Sequence, residues 1–143
     1  MSGVAVIRHL LANNAPVLAV IPVARIVAGD LPLNTVLPAI SVKQINSDPH
    51  NLLRINEAGK THTDIVQVTW LFKGPQGTPA GTGYPGVKAM GLLVLAACPS
   101  QRGTVNGIAV DSIAPGVEGP DVSDAETALH SLSRDFVVRW NGA

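Results

Sequence analysis

Hydrophobic and polar positions alternate most regularly over residues 63–73, Thr-Asp-Ile-Val-Gln-Val-Thr-Trp-Leu-Phe-Lys. A period of two predicts a strand with Val66, Val68, Trp70 and Phe72 on the core side and Asp64 as its polar beginning. Ile65, Gln67, Thr69 and Leu71 share the other side. The residues are β-branched or aromatic, types that suit a pleated and half-buried surface. Trp70 and Phe72 are two of only five aromatic residues in the chain, which holds 2 Trp, 2 Phe and 1 Tyr. The second face mixes amide, hydroxyl and aliphatic groups, so it suits contact with another subunit better than bulk water.

The remaining pattern predicts elements on either side of this central strand. Residues 2–14 read as a helix: Ser2 can cap it, Val4, Ile7 and Leu11 recur at i, i+3 and i+7, and Asn13-Asn14 ends it before Pro16. One more helical turn is expected over 16–21, then mostly loop from 23 to 37. Leu37-Pro38-Ala39-Ile40 opens a strand running to about residue 46, and Asp48-Pro49 marks a turn. The polar stretch 50–62 reads as a hairpin tip or arm, about 47–62 in all. Residues 74–86 form a Gly/Pro-rich connection. A second helix is expected over 87–98, apolar nearly all round and so buried on more than one side. A third strand follows over 103–113, an acidic loop over 115–126, and a last strand over about 128–140. In that last strand Leu132, Phe136, Val138 and Trp140 share one face with Arg134. The expected fold is α+β: one domain over 1–143, an αββαββ two-layer sandwich with a mostly antiparallel four-stranded sheet and two helices on one face.

Composition narrows the reading. A chain of 143 residues can bury about 70% of its unfolded surface. It is 46% hydrophobic but only 3% aromatic, so Val, Ile, Leu and Ala must fill the core. Charged residues make up 14%, against roughly 25% in a typical soluble domain, which favours an oligomer whose contacts remove surface from water. Formal net charge is zero with no basic run, which argues against binding nucleic acid through phosphate neutralisation. The single cysteine, Cys98, rules out an intramolecular disulfide framework and fits a reducing compartment. No signal peptide is expected at the start. The longest apolar tract, 15–29, is interrupted by Pro16, Pro22 and Arg25, too broken to span a bilayer.

Candidate chemistry is sparse. Gly81-Thr82-Gly83-Tyr84-Pro85-Gly86 matches GxGxxG between a strand and a helix, with Asp111 near the place of a ribose-binding carboxylate. The first glycine comes eight residues after Lys73, however, and Pro85 removes a donor where a pyrophosphate would sit. A plain loop fits better than a small nucleotide-binding enzyme. His9, His50, His62 and His130 show no metal-ligand spacing, although His62 and Asp64 could share a face. Ser131 and His130 would point apart on a strand, and Cys98 has no adjoining base to activate it. No catalytic, cofactor-binding or metal site is expected. What stands out is charge. Glu118, Asp121, Asp124 and Glu126 occupy the acidic loop without a base, whereas the hairpin region carries Lys43, Arg54 and Lys60. Leu52, Leu53 and Ile55 add apolar residues to that arm. Contacts between chains are therefore expected at Leu52, Leu53, Arg54, Ile55, Lys60, Glu118, Asp121 and Asp124.

The αββαββ order, the Leu37-Pro38-Ala39-Ile40 strand opening, Val66-Gln67-Val68 and the closing Asp135-Phe136-Val137-Val138-Arg139-Trp140 resemble the tail-completion proteins of tailed phages. That family comprises tail terminators, also called tail-to-head joining proteins, and their relatives in phage-like particles. The resemblance covers residues 4–140 and departs from the pattern in the longer connection 74–86. It implies a structural virion protein with no enzymatic activity and no cofactor. Its copies would form a homohexameric ring at the head-proximal end of the tail tube, stop tube polymerisation, and contact the major tail tube protein and the head–tail connector. DNA would pass through the lumen without specific binding, and assembly would occur in the host bacterial cytoplasm with no membrane involved. The alternative within the same class is another neck ring, a head-closure or stopper protein.

Overall fold

The computed structural model describes residues 2–32, 36–50, 61–73, 83–100, 102–124 and 129–141. Helix α1 spans Ser2–Ala12 and the single turn α2 spans Ala15–Leu18. The Asn14 side chain caps α2 by accepting from Val17 N at 3.1 Å, with Pro16 in the first turn, where a missing N–H costs nothing. A 3-10 turn, Val23–Arg25, leads into strand β1, Ile26–Ala28. Then come β2 (Ala39–His50), β3 (Thr61–Lys73), α3 (Gly83–Ala97), β4 (Gly103–Val105), β5 (Ile108–Glu118), β6 (Val122–Asp124) and β7 (Leu129–Asn141). The longer elements α1, β2, β3, α3, β5 and β7 keep the expected order.

The sheet is larger than four strands. It has seven, in the order β1-β2-β3-β7-β5-β4, with β6 pairing β7 beside β5. All pairings are antiparallel except β1 with β2, so the sheet is mixed. β1 lies in the stretch expected to be mostly loop; three residues are too short for a periodicity of their own, and pairing with Ile40, Ser41 and Val42 holds them extended. The expected strand 103–113 is instead a hairpin. Asn106 and Gly107 both have positive φ, 50° and 77°, the mirror-image turn that joins Val105 to Ile108. The expected acidic loop 115–126 is largely strand, because β5 continues to Glu118 and β6 follows after a short turn.

Two more boundaries move. Asp48 and Pro49 are no turn; both pair within β2, opposite Thr63 and His62. β1 covers β2 only as far as Val42, so from there β2 is an edge, where proline's missing N–H costs no ladder bond. α3 begins at Gly83 rather than Val87, with Pro85 in a first turn whose N–H groups have no intrahelical acceptor in any case. The expected loop 74–86 therefore gives its last four residues to the helix, and 74–82 lie outside the described residues. Of the expected arm, both flanks are strand and 51–60 lie outside the described residues.

The core side of β3 is as expected: Asp64, Val66, Val68, Trp70 and Phe72 are all buried. Leu132, Phe136 and Val138 of β7 lie beside them, joined by His130. Val4, Val6, Ile7 and Leu11 of α1 and Val87, Met90, Val94 and Ala97 of α3 close this side. Trp70 ties α3 to the sheet by donating from its indole Nε1 to Val87 O at 2.8 Å. α1 touches strands at both ends of the sheet, β1 and β4, so the sheet curls around it.

Asp64 fixes α1. Its Oδ2 accepts from Gly3 N at 3.0 Å and from Trp140 Nε1 at 2.8 Å, and its Oδ1 accepts from Ser47 Oγ at 2.5 Å. A fully buried carboxylate needs such donors, and the first N–H groups of a helix favour negative charge. Only glycine fits at position 3, where a Cβ would lie 2.7 Å from both Asp64 Cβ and Oδ2.

Candidate assembly surface

The helices cover one side of the sheet, and among the described residues no helix covers the other. In β3 it presents Thr63, Ile65, Gln67, Thr69 and Leu71, each half-buried, as the alternation requires. In β7, Ser131, Ser133, Asp135, Val137 and Arg139 continue it, paired residue by residue with β3 from Lys73↔Leu129 to Thr61↔Asn141. In β2, Ser41 and Lys43 stand opposite Thr69 and Gln67. Lys43 forms an ion pair with Asp30, and Ser41 Oγ donates to Gly29 O at 2.6 Å. A shallow hollow of ≈ 210 Å³ lies between Leu31, Lys43, Gln67, Thr69 and Leu71. Hydroxyl, amide and aliphatic groups therefore cover this face with few charges, a composition that another protein surface can cover without stranding an ion.

The edges add exposed apolar residues that periodicity did not flag. At a bulge in β2 the register steps from Gln44↔Val66 to Asn46↔Ile65, and the extra residue, Ile45, is 54% exposed. Val117 of β5, 74% exposed, sits at a second irregularity between Pro115 and Glu118. Bulges of this kind turn an edge away from unintended pairing. Leu92 on α3 is 73% exposed, which the all-round apolar pattern of that helix had obscured.

Three of the eight expected contact residues lie among the described residues. Glu118 ends β5, where its Oε2 lies 3.5 Å from Arg134 Nη2 of β7. Asp121 lies between β5 and β6, with its Oδ1 2.8 Å from Lys88 Nζ of α3. These acids are answered by different bases of their own chain rather than brought together as one patch. Lys88 and Arg134 were missed as their partners because the pairing is long-range. Asp124 ends β6. Leu52, Leu53, Arg54, Ile55 and Lys60 lie outside the described residues.

The weaker chemical candidates take structural places. His130 is buried, and its Nδ1 lies 2.9 Å from Ser123 Oγ rather than facing Ser131. His62 stacks on Trp140 with ring centroids 4.2 Å apart, so His62 and Asp64 do converge on the same indole. Burial pushes the Cys98 thiol up from 9.0 to about 12, which keeps it protonated and unreactive at neutral pH. Asp111 is exposed and accepts from Asn141 Nδ2 at 2.9 Å. Among the described residues no three His, Cys, Asp or Glu side chains gather as a metal site. No described helix is long and apolar enough to cross a membrane.

A chain from the virion of the native gene transfer agent particle has the same fold, with a TM-score of 0.67 over 97% of this chain and 94% of that chain, at 12% sequence identity. No protein-family model and no curated protein sequence matches the chain. At that identity the likeness is one of fold.

Proposed function

We propose that this chain is a structural protein of a phage-like particle, a tail-completion subunit whose copies close into a homohexameric ring at the head-proximal end of the tail tube. The observation that carries the reading is the fold shared nearly end to end with a chain of a gene transfer agent virion. The open sheet face supports it, since a ring subunit needs contact surfaces with few charges to strand. A closed ring joins two different patches of one chain by rotation, and this subunit has an open face, two blunted edges and an exposed Leu92 to supply them. In this role the ring ends tube growth and contacts the major tail tube protein on one side and the head–tail connector on the other. Zero formal charge suits a lumen through which DNA slides, because phosphate neutralisation would hold it.

Light scattering after size-exclusion chromatography tests the ring directly and should give the mass of six chains, in isolation or on addition of tail tubes. Imaging of particles should place the chain between tube and head, and particles lacking it should carry tubes of uncontrolled length. A chain that stays monomeric with tubes present, or particles with normal tails in its absence, would refute the proposal.

A further inference from the structure

We propose that the cleft between the two ends of the curled sheet, floored by α1, is a carboxylate-binding site anchored by Arg8. The cavity measures ≈ 270 Å³ and is lined by one stripe of α1 that includes Arg8 and His9, by Asn13 just beyond the helix, by Ala28 at the end of β1, and by Asn106 in the turn after β4. It is far larger than the roughly 30 Å³ share of a water molecule. Val4, Arg8 and Ala12, and beside them Ala5 and His9, are spaced by four residues, so one helix face presents them together.

Arg8 distinguishes this cleft from the rest of the surface. Its Nε donates to Ile26 O at 3.1 Å, which orients the guanidinium plane at the cavity wall. The terminal nitrogens of the five-donor fork have no partner among the described residues. Lys43, Lys88 and Arg134 each face a carboxylate of their own chain, Arg25 donates to the carbonyls of Val36 and Pro38, and Lys73, Arg102 and Arg139 are exposed to water. Arg8 is half-buried beside a cavity with no acidic residue in its lining. A cation drawn partly out of water without a counter-charge is costly, and a carboxylate engaging the planar fork would offset that cost.

The other groups fit the same ligand. Asn13 Nδ2 is engaged with His9 O at 2.8 Å, which leaves the Asn106 carboxamide, exposed in the turn, to donate into the cleft. Ala28 and Val4 offer apolar walls for the methylenes of an acidic side chain. A single guanidinium with one free amide nearby suits one negative charge better than the nearly two of a phosphate. Both bordering strands, β1 and β4, end the sheet, so their outer backbone groups can pair with an extended segment that brings the acid. The inference rests on this cleft alone and does not depend on the ring.

The test is an NMR titration of ¹⁵N-labelled protein at constant ionic strength. The probes are an end-blocked pentapeptide, Thr-Val-Glu-Val-Thr, its counterpart with Gln in place of Glu, glutarate, and inorganic phosphate. The Glu peptide should shift the Arg8 Nε–H and Asn106 amide signals saturably, and the Gln peptide should bind about tenfold or more weaker. Arg8→Gln should abolish the shift and Arg8→Lys should weaken it, with the remaining spectrum reporting that each variant is folded. Binding of the Glu peptide tighter than glutarate assigns the carboxylate to a protein segment, and the reverse order assigns it to a small acid. Equal binding of the Glu and Gln peptides, tighter binding of phosphate than of either carboxylate, or no saturable shift at all would overturn the proposal.

Discussion

Three buried side chains carry consequences out of proportion to their size. Asp64 has lost all contact with water, and its charge is answered by the Gly3 amide, the Trp140 indole and the Ser47 hydroxyl rather than by a base. Asp64→Ala should cost about 2–4 kcal/mol, because it strands the buried Gly3 donor and half-buried Trp140; urea denaturation measures this, and a loss under about 0.5 kcal/mol would show that α1 holds without it. Trp70→Ala should cost about 3–5 kcal/mol as a buried aromatic truncation, with Val87 O losing the indole donor, and an unchanged melting temperature would contradict the packing described. Cys98 gives a pH effect with a definite sign. Its thiol stays protonated in the fold up to about 12 but ionises from 9.0 when exposed. The unfolded chain therefore binds fewer protons in that window, and stability falls as pH rises from about 9 to 12, by up to roughly 1.4 kcal/mol per unit. Cys98→Ala should remove that slope in alkaline melts. The side of the strand to which Asp64 belongs was legible from alternation. Its role was not, since its main partner lies 61 residues away and local pattern carries no such pairing.

Among the elements, those with a strong period of their own were legible: α1, β3, β7 and most of α3. Most strand misreadings share a cause, in that tertiary pairing overrode weak local preference. Pro115 and Gly116 suggest a loop, yet β7 holds β5 extended past them through two register shifts. The β4–β5 hairpin is a different case, because the signal was present. Asn106-Gly107 is a strong two-residue turn sequence, hidden because Val105, Ile108 and Val110 continue the look of a single strand across it. Gly107→Ala should destabilise by about 1–2 kcal/mol, the cost of a left-handed conformation for a residue with Cβ. Asn106→Gly at the same turn should stay within about 0.5 kcal/mol of the original. Thermal melts of the two variants compare them, and equal effects would mean that the turn does not hold its shape in solution.

For the whole molecule the open sheet face is the feature that sequence foresaw best and could explain least, since alternation shows that a second face exists but not what covers it. Leu71→Lys on that face should leave the fold nearly intact, costing at most about 1 kcal/mol at a half-buried site, while abolishing the proposed hexamer in light scattering. An intact hexamer in that variant would move the contact to the edges or to α3. The pair between Lys88 and Asp121 is worth about 0–1 kcal/mol to the subunit, so any larger, salt-sensitive effect of Asp121→Lys on assembly would have to arise between chains. The Asp64 carboxylate has one further consequence. A single oxygen receives both residue 3, at 3.0 Å, and residue 140, at 2.8 Å, so whatever is fused before the first helix or after the last strand leaves the domain from the same corner. Affinity tags at either end would crowd the same side of the subunit. A linker of only a few residues, at about 3.3–3.6 Å each, could join those points in a circular permutant opened at the 106–107 turn, with the sheet order untouched.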